Sequence, residues 1–107
     1  MLILIDESLP QELVDHLHPL PARTVSEMGW AGLKNGALLR RAEVGLVTAF
    51  VTADQGLPYQ QYLAQSTLAV IVLKARSNRL QDLLPLLSDL KQALSLVAPG
   101  QVFRVGR

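Results

Sequence analysis

The residues most able to do chemistry in this chain are three carboxylates that directly follow apolar, strand-like segments. Asp6 and Glu7 follow residues 2–5, and Asp54 follows residues 47–52. Parallel neighbouring strands would bring these acids to one crevice, because α/β sheets bind ligands beyond the carboxyl ends of their strands. Grouped carboxylates repel one another unless a cation lies among them, and an oxygen-only ligand set suits Mg²⁺ or Mn²⁺. Such a cation can activate a water and stabilise the leaving oxygen of a phosphodiester.

A basic segment follows the clearest predicted strand, residues 68–73. Its polar residues are Lys74, Arg76, Asn78 and Arg79. Arginine can hold a phosphate group through two parallel hydrogen bonds, so this segment is a candidate substrate-binding element. Residues 1–33 contain five carboxylates and one arginine, whereas residues 34–107 contain nine Lys or Arg and four carboxylates. This asymmetry predicts a phosphate-attracting surface beside the acids, with ordinary solvated charge as the alternative.

The apolar pattern predicts the elements that would position these groups. Predicted strands cover residues 2–5, 23–25, 47–52, 68–73 and 101–105. Predicted helices cover residues 9–17, 36–44, 59–65 and 79–97. Ser8 and Asn35 are expected as helix N-caps, and Pro85 is expected to kink or break the last helix. The alternation indicates an open, mostly parallel α/β sheet with right-handed crossovers.

Other residues with chemical potential have simpler interpretations. His16 and His18 diverge on a helix because they are two positions apart, so a metal site there is disfavoured. Trp30 is expected to cover the edge of the core, with base stacking as the alternative. Tyr59 and Tyr62 are expected to pack rather than to bind.

The composition limits the class of protein. The chain has 107 residues, of which 50% are apolar and 18% charged, and it has no cysteine. We therefore expect a single ordered domain over residues 1–107. The apolar runs are too short for a membrane helix, and residues 1–5 lack the basic start of a signal peptide. A chain without disulfides or thiolate metal sites fits the reducing cytoplasm.

Four segments, taken in order, resemble the small PIN-like domains of bacteria. LIDESLP at residues 4–10 is similar to the family's LLDENLP opening, and the other segments are GWAGLKNG at 29–36, FVTAD at 50–54 and IVLKARSNR at 71–79. The resemblance implies a three-layer α/β sandwich around a small, mostly parallel five-stranded sheet. It also implies a ribonuclease dependent on Mg²⁺ or Mn²⁺, in which Asp6 and Asp54 are catalytic and metal-binding acids and Glu7 is accessory. Relatives include proposed toxins of toxin–antitoxin pairs, so RNA and an antitoxin protein are the implied partners.

The chain departs from the family's acidic pattern at two places. Asn35 and Ala37 stand where relatives often have an acid, and Gly56 and Leu57 stand where relatives often have Asp-Phe. The reduced acid set favours one cation over two, with Asn35 supporting the cation or its waters.

Two functions from different classes stay open. One is the metal-dependent ribonuclease, and the other is a catalytically inactive PIN-like module that binds RNA or a protein partner. Exposed sheet edges and the leucine-rich last helix also make a homodimer a hypothesis.

Overall fold

The computed structural model describes residues 1–33, 35–55 and 66–106. The strands in these ranges are β1 (Ile3–Ile5), β2 (Ala22–Thr24), β3 (Ala49–Thr52), β4 (Ala69–Lys74) and β5 (Val102–Gly106). The helices there are α1 (Leu13–Leu17), α2 (Asn35–Val44), α3 (Leu80–Leu83) and α4 (Leu87–Leu96). Each of these strands lies within two residues of its predicted ends, so the strand predictions are confirmed.

The strands form one sheet in the order β2-β1-β3-β4-β5, and every neighbouring pair is parallel. The expected α/β architecture is therefore confirmed. Strand β1 lies inside the sheet, and the side chains of Ile3, Leu4 and Ile5 are fully buried. Its unbroken apolar run follows from this position, because a parallel strand covered on both faces needs apolar residues at every site.

Two hydrophobic cores lie on opposite faces of the sheet. Successive strand side chains point to opposite faces, so Ile3 and Ile5 enter one core while Leu4 enters the other. The first core contains the inner faces of α1 and α4, and the second contains α2 and Trp30. Helices on both faces make three layers, and the predicted packing of Trp30 is confirmed.

One connection has the opposite hand to the others that can be compared. Helix α1 connects β1 to β2, which lies toward one edge of the sheet, and packs on one face. Helix α2 connects β2 to β3, which lies in the other direction, and packs on the other face. Reversing both the direction and the face keeps the hand, so these two connections have the same hand. The β4-to-β5 connection crosses in the direction of α2 but packs α4 on the face of α1. The expectation of uniformly right-handed crossovers is therefore wrong. Helix α1 has only five residues, and the leucines of α4 cover the rest of its face.

The last helical segment breaks where the sequence predicted. A 3₁₀ turn over Leu84–Leu86 separates α3 from α4, with Pro85 at its second position. Proline cannot donate the backbone hydrogen bond that a continuous helix needs there. No helix among the described residues is long and apolar enough to cross a membrane. The predicted helix 59–65 and the positions Gly56 and Leu57 lie outside the described residues.

Candidate functional site at the carboxyl edge of the sheet

The acidic residues Asp6 and Asp54 follow two strands that are direct neighbours. Ile5 of β1 is paired with Val51 of β3, and the strands run parallel. The backbone N–H of Asp6 continues this ladder, donating to the carbonyl oxygen of Val51 at 2.9 Å. The segments that end in Asp6 and Asp54 therefore lie side by side and point the same way, as the sequence predicted.

The carboxylate of Asp6 is held by three hydrogen bonds. The backbone N–H of Glu7 donates to Oδ1 at 2.8 Å. The hydroxyls of Ser8 and Thr52 donate to Oδ2 at 2.9 Å and 2.7 Å. Hydrogen bonds to an ionised group are stronger than neutral ones, so these donors fix the orientation of a half-buried carboxylate.

The hydroxyl of Thr52 connects the two acidic segments. Thr52 is fully buried at the end of β3, and its Oγ1 also accepts the backbone N–H of Asp54 at 3.1 Å. One hydroxyl thus touches the carboxylate of Asp6 and the backbone of Asp54. Asp54 itself is exposed, at the edge of the sheet beyond β3.

The hydroxyl of Ser8 bonds to residues of the two acidic segments and not to the first helix. Its Oγ donates to Asp6 and accepts the backbone N–H of Ala53 at 3.4 Å. Helix α1 begins only at Leu13, and its N-terminus has no side-chain cap. The prediction that Ser8 caps this helix is therefore wrong, because the helix begins five residues later and the Ser8 oxygen accepts the N–H of Ala53 rather than one from the helix.

Glu7 faces the loop that precedes α2. Its side chain is exposed, and Oε1 accepts the backbone N–H of Gly32 at 3.2 Å. Asn35 is the first residue of α2 rather than its predicted N-cap, and its side chain lies outside the described part of the chain. Its supporting role in the site stays a prediction. Ala37, one turn into α2, is exposed.

The predicted substrate-binding residues follow β4, the strand next to β3. Lys74, Arg76, Asn78 and Arg79 are all exposed. The nearby carboxylate of Asp82 accepts a hydrogen bond from the hydroxyl of Ser77. These basic groups thus stand at the same edge of the sheet as the acids, and their role toward a substrate stays a prediction.

A cavity lies between the loop that follows β3 and Arg104, a cation that the sequence did not predict as a site residue. The side-chain amide of Gln55 donates to the carbonyl oxygens of Ala53 and Leu73, which pins the loop after β3 to the end of β4. Gln55, Lys74 and Arg104 line a cavity of about 350 Å³. Arg104 lies on the edge strand β5, opposite Val72. A charged residue in an edge strand normally only faces solvent, so the sequence carried no signal for it.

The described residues contain no group of three or more His, Asp or Glu side chains that could hold a metal ion. Both lone pairs of Asp6 Oδ2 accept hydroxyls, and Oδ1 has one free lone pair. Mg²⁺ needs only one or two carboxylates when waters and substrate phosphates complete its shell. A cation bound by Asp6 and Asp54 stays a prediction.

Comparisons with models of known protein families, with curated proteins and with solved structures gave no match to this chain. The likeness to PIN-like domains therefore rests on the four segments quoted above.

Proposed function

We propose that this chain is a PIN-like ribonuclease that uses one Mg²⁺ or Mn²⁺. The observation that supports it best is the hydrogen bonding of Thr52 Oγ1, which donates to the Asp6 carboxylate at 2.7 Å and accepts the Asp54 N–H at 3.1 Å. This arrangement orients one carboxylate and holds the second acidic residue on the same edge of the sheet. Preorganised charge at a water-accessible edge is what phosphodiester hydrolysis requires.

Different residues of the chain would bind the cation and the phosphates of the RNA. Asp6 and Asp54 would hold the cation, and Glu7 and Asn35 would support its waters. When bound, such a cation supplies an activated water and stabilises the leaving oxygen of the phosphodiester.

The cationic residues Lys74, Arg76 and Arg79 would hold flanking phosphates, with Asn78 donating a neutral hydrogen bond. These side chains are exposed beyond the end of β4, where a bound strand can reach them. We expect the partner to be RNA.

A cleavage assay tests the proposal. Fluorescently labelled single-stranded RNA is incubated with the protein in Mg²⁺, in Mn²⁺ and in EDTA. Cleavage is expected with either cation and lost in EDTA, in Asp6→Asn and in Asp54→Asn. Asp15→Asn is the matched control, because Asp15 is an exposed acid on α1. Cleavage that persists in both site variants contradicts the assignment.

A second function, a catalytically inactive module that binds RNA or a protein, has its own supporting observation. Asp6 is already engaged by three donors, and no three-acid group occurs in the part of the chain that the structure describes. Such a module would bind RNA equally well in EDTA and would show no Mn²⁺ binding. A metal-free, cleavage-free protein that retains RNA binding would favour this second function.

The wider biological setting is part of the same proposal. A ribonuclease of this size fits the toxin of a toxin–antitoxin pair in the cytoplasm, with an antitoxin protein as its inhibitor. The outer strands β2 and β5 leave two sheet edges through which a homodimer could pair. Co-expression with the product of the neighbouring gene tests the first idea, and sedimentation equilibrium tests the second.

A further inference from the structure

A second surface lies along α2, and we name it the α2 groove. It has a volume of about 380 Å³. Its principal lining residues are Trp30, Leu33, Ala37, Arg40, Arg41 and Val44. The three other residues that α2 contributes lie three, four and seven positions after Ala37, so these four residues form one stripe along two helical turns. The groove therefore follows two turns of α2.

Two exposed apolar side chains stand at the carboxyl end of α2. Val44, which lines the α2 groove, is 78% exposed, and Leu46, which follows the helix outside the groove lining, is 81% exposed. Leu46 also has a φ of 63°, in the left-handed region that glycine prefers. The backbone there ends the helix by the usual paired bonds, since the N–H groups of Leu46 and Val47 donate to earlier carbonyl oxygens. The chain therefore keeps a bulky apolar residue in solvent, in a conformation that disfavours it.

The floor of the α2 groove is formed by a buried tryptophan. The indole of Trp30 is 8% exposed and lies against the backbone of Gly45. A Cβ at Gly45 would come within 2.7 Å of the ring atom Cη2, so glycine is what allows this close approach. A preformed floor favours a partner that fits it without rearrangement.

The positive charge of the α2 groove favours an acidic partner. Arg40 and Arg41 are exposed, and the lining includes no carboxylate. A second copy of the chain would bring no carboxylate from its own α2 groove to these arginines, because an isologous contact joins the same surface patch on both copies. A partner carrying Asp or Glu is attracted instead, and an amphipathic helix is the element that fits a groove along two turns.

We propose that the α2 groove binds an acidic amphipathic helix of another protein. Its apolar residues would occupy positions i, i+4 and i+7, and its Asp or Glu residues would face Arg40 and Arg41. The α2 groove extends from the loop over residues 29–33, whose Gly32 contacts Glu7, to the carboxyl end of α2 at the opposite edge of the sheet. Its lining includes none of the acidic site residues, so the proposal does not depend on the proposed nuclease activity.

A peptide selection tests this proposal. The probe is a display library of 18-residue peptides with Leu fixed at i, i+4 and i+7, no aromatic residues and all other positions random. Acid-rich sequences are expected to be enriched on the wild-type protein. The selected peptide should also change the fluorescence of Trp30, the one tryptophan of the chain.

Matched variants locate the contact. Arg40→Glu with Arg41→Glu, and separately Val44→Asn, should each weaken peptide binding by about tenfold or more. Lys91→Glu and Leu96→Asn are the controls, because both residues are exposed on α4. No enrichment, enrichment of basic or neutral peptides, or binding that the groove variants leave unchanged would each overturn the proposal. A dimer that Val44→Asn dissociates would also overturn it, in favour of self-association.

Discussion

Thr52 and Asp6, which lie 46 positions apart in the chain, meet through a 2.7 Å hydrogen bond from the threonine hydroxyl to the carboxylate. The hydroxyl is fully buried and also accepts the backbone N–H of Asp54. This contact joins β1 to β3 at the candidate site, so structure and proposed chemistry depend on the same oxygen atom.

Removing that oxygen should destabilise the protein. Thr52→Val keeps the shape of the side chain but leaves the Asp54 N–H without its acceptor and Asp6 with one fewer donor. We expect a loss of about 1–3 kcal/mol in the free energy of unfolding, measured by urea denaturation. Thr52→Ser keeps the hydroxyl and should lose much less. Equal free energies of unfolding for Thr52→Val and wild type would show that this hydrogen bond makes no net contribution to stability.

Leu46 is the position where a substitution should stabilise the chain. Leu46→Asn relieves a left-handed backbone conformation that asparagine tolerates, and it removes an exposed apolar group. The free energy of unfolding is expected to rise by roughly 1 kcal/mol, with a higher Tm in a thermal scan. A lower Tm would contradict this expectation.

Gly106 sets the position of Lys74. Its φ is +109°, and a Cβ at this position would overlap the carbonyl oxygen of Lys74. Gly106→Ala should therefore displace the end of β5 and destabilise the protein by about 1–3 kcal/mol. Gly36→Ala is the matched control, since its Cβ would make an ordinary 3.6 Å contact with the Arg40 side chain. Alanine should be neutral or slightly stabilising there, because it favours helix over glycine.

Arg104 should contribute to RNA binding because it shares a cavity with Gln55 and Lys74. Arg104→Gln should weaken binding of single-stranded RNA and reduce by about 0.7 the slope of log affinity against log salt concentration. The measurement is fluorescence anisotropy in EDTA, which removes cleavage from the result. Lys91→Gln removes an exposed cation on α4 and should leave the slope unchanged. An unchanged slope for Arg104→Gln would exclude this residue from the RNA path.

Much of this architecture was predictable from the sequence, for identifiable reasons. Apolar runs such as residues 69–73 are buried on both faces, as the inner strands of a parallel sheet are, so these strands could be predicted from their composition. The break at Pro85 followed from a missing backbone donor. The neighbourhood of Asp6 and Asp54 followed from parallel pairing of the strands before them.

Other features depend on contacts that no local pattern carries. Ser8 has the spacing of a helix cap, yet its hydroxyl bonds to Asp6 because the neighbouring strand brings Ala53 and Thr52 to that side. The face chosen by α4 depends on how much of the sheet α1 leaves uncovered. Arg104 acquires its neighbours only when β5 pairs with β4.

The central claim is that the carboxylates of Asp6 and Asp54 share one divalent cation. A crystal of the protein soaked in Mn²⁺, with anomalous diffraction recorded, tests it most directly. We predict one anomalous peak within about 2.3 Å of an oxygen of each carboxylate, with waters completing the shell. A map with no peak between these two residues, or with the two carboxylates directed to different sides of β3, would contradict the account.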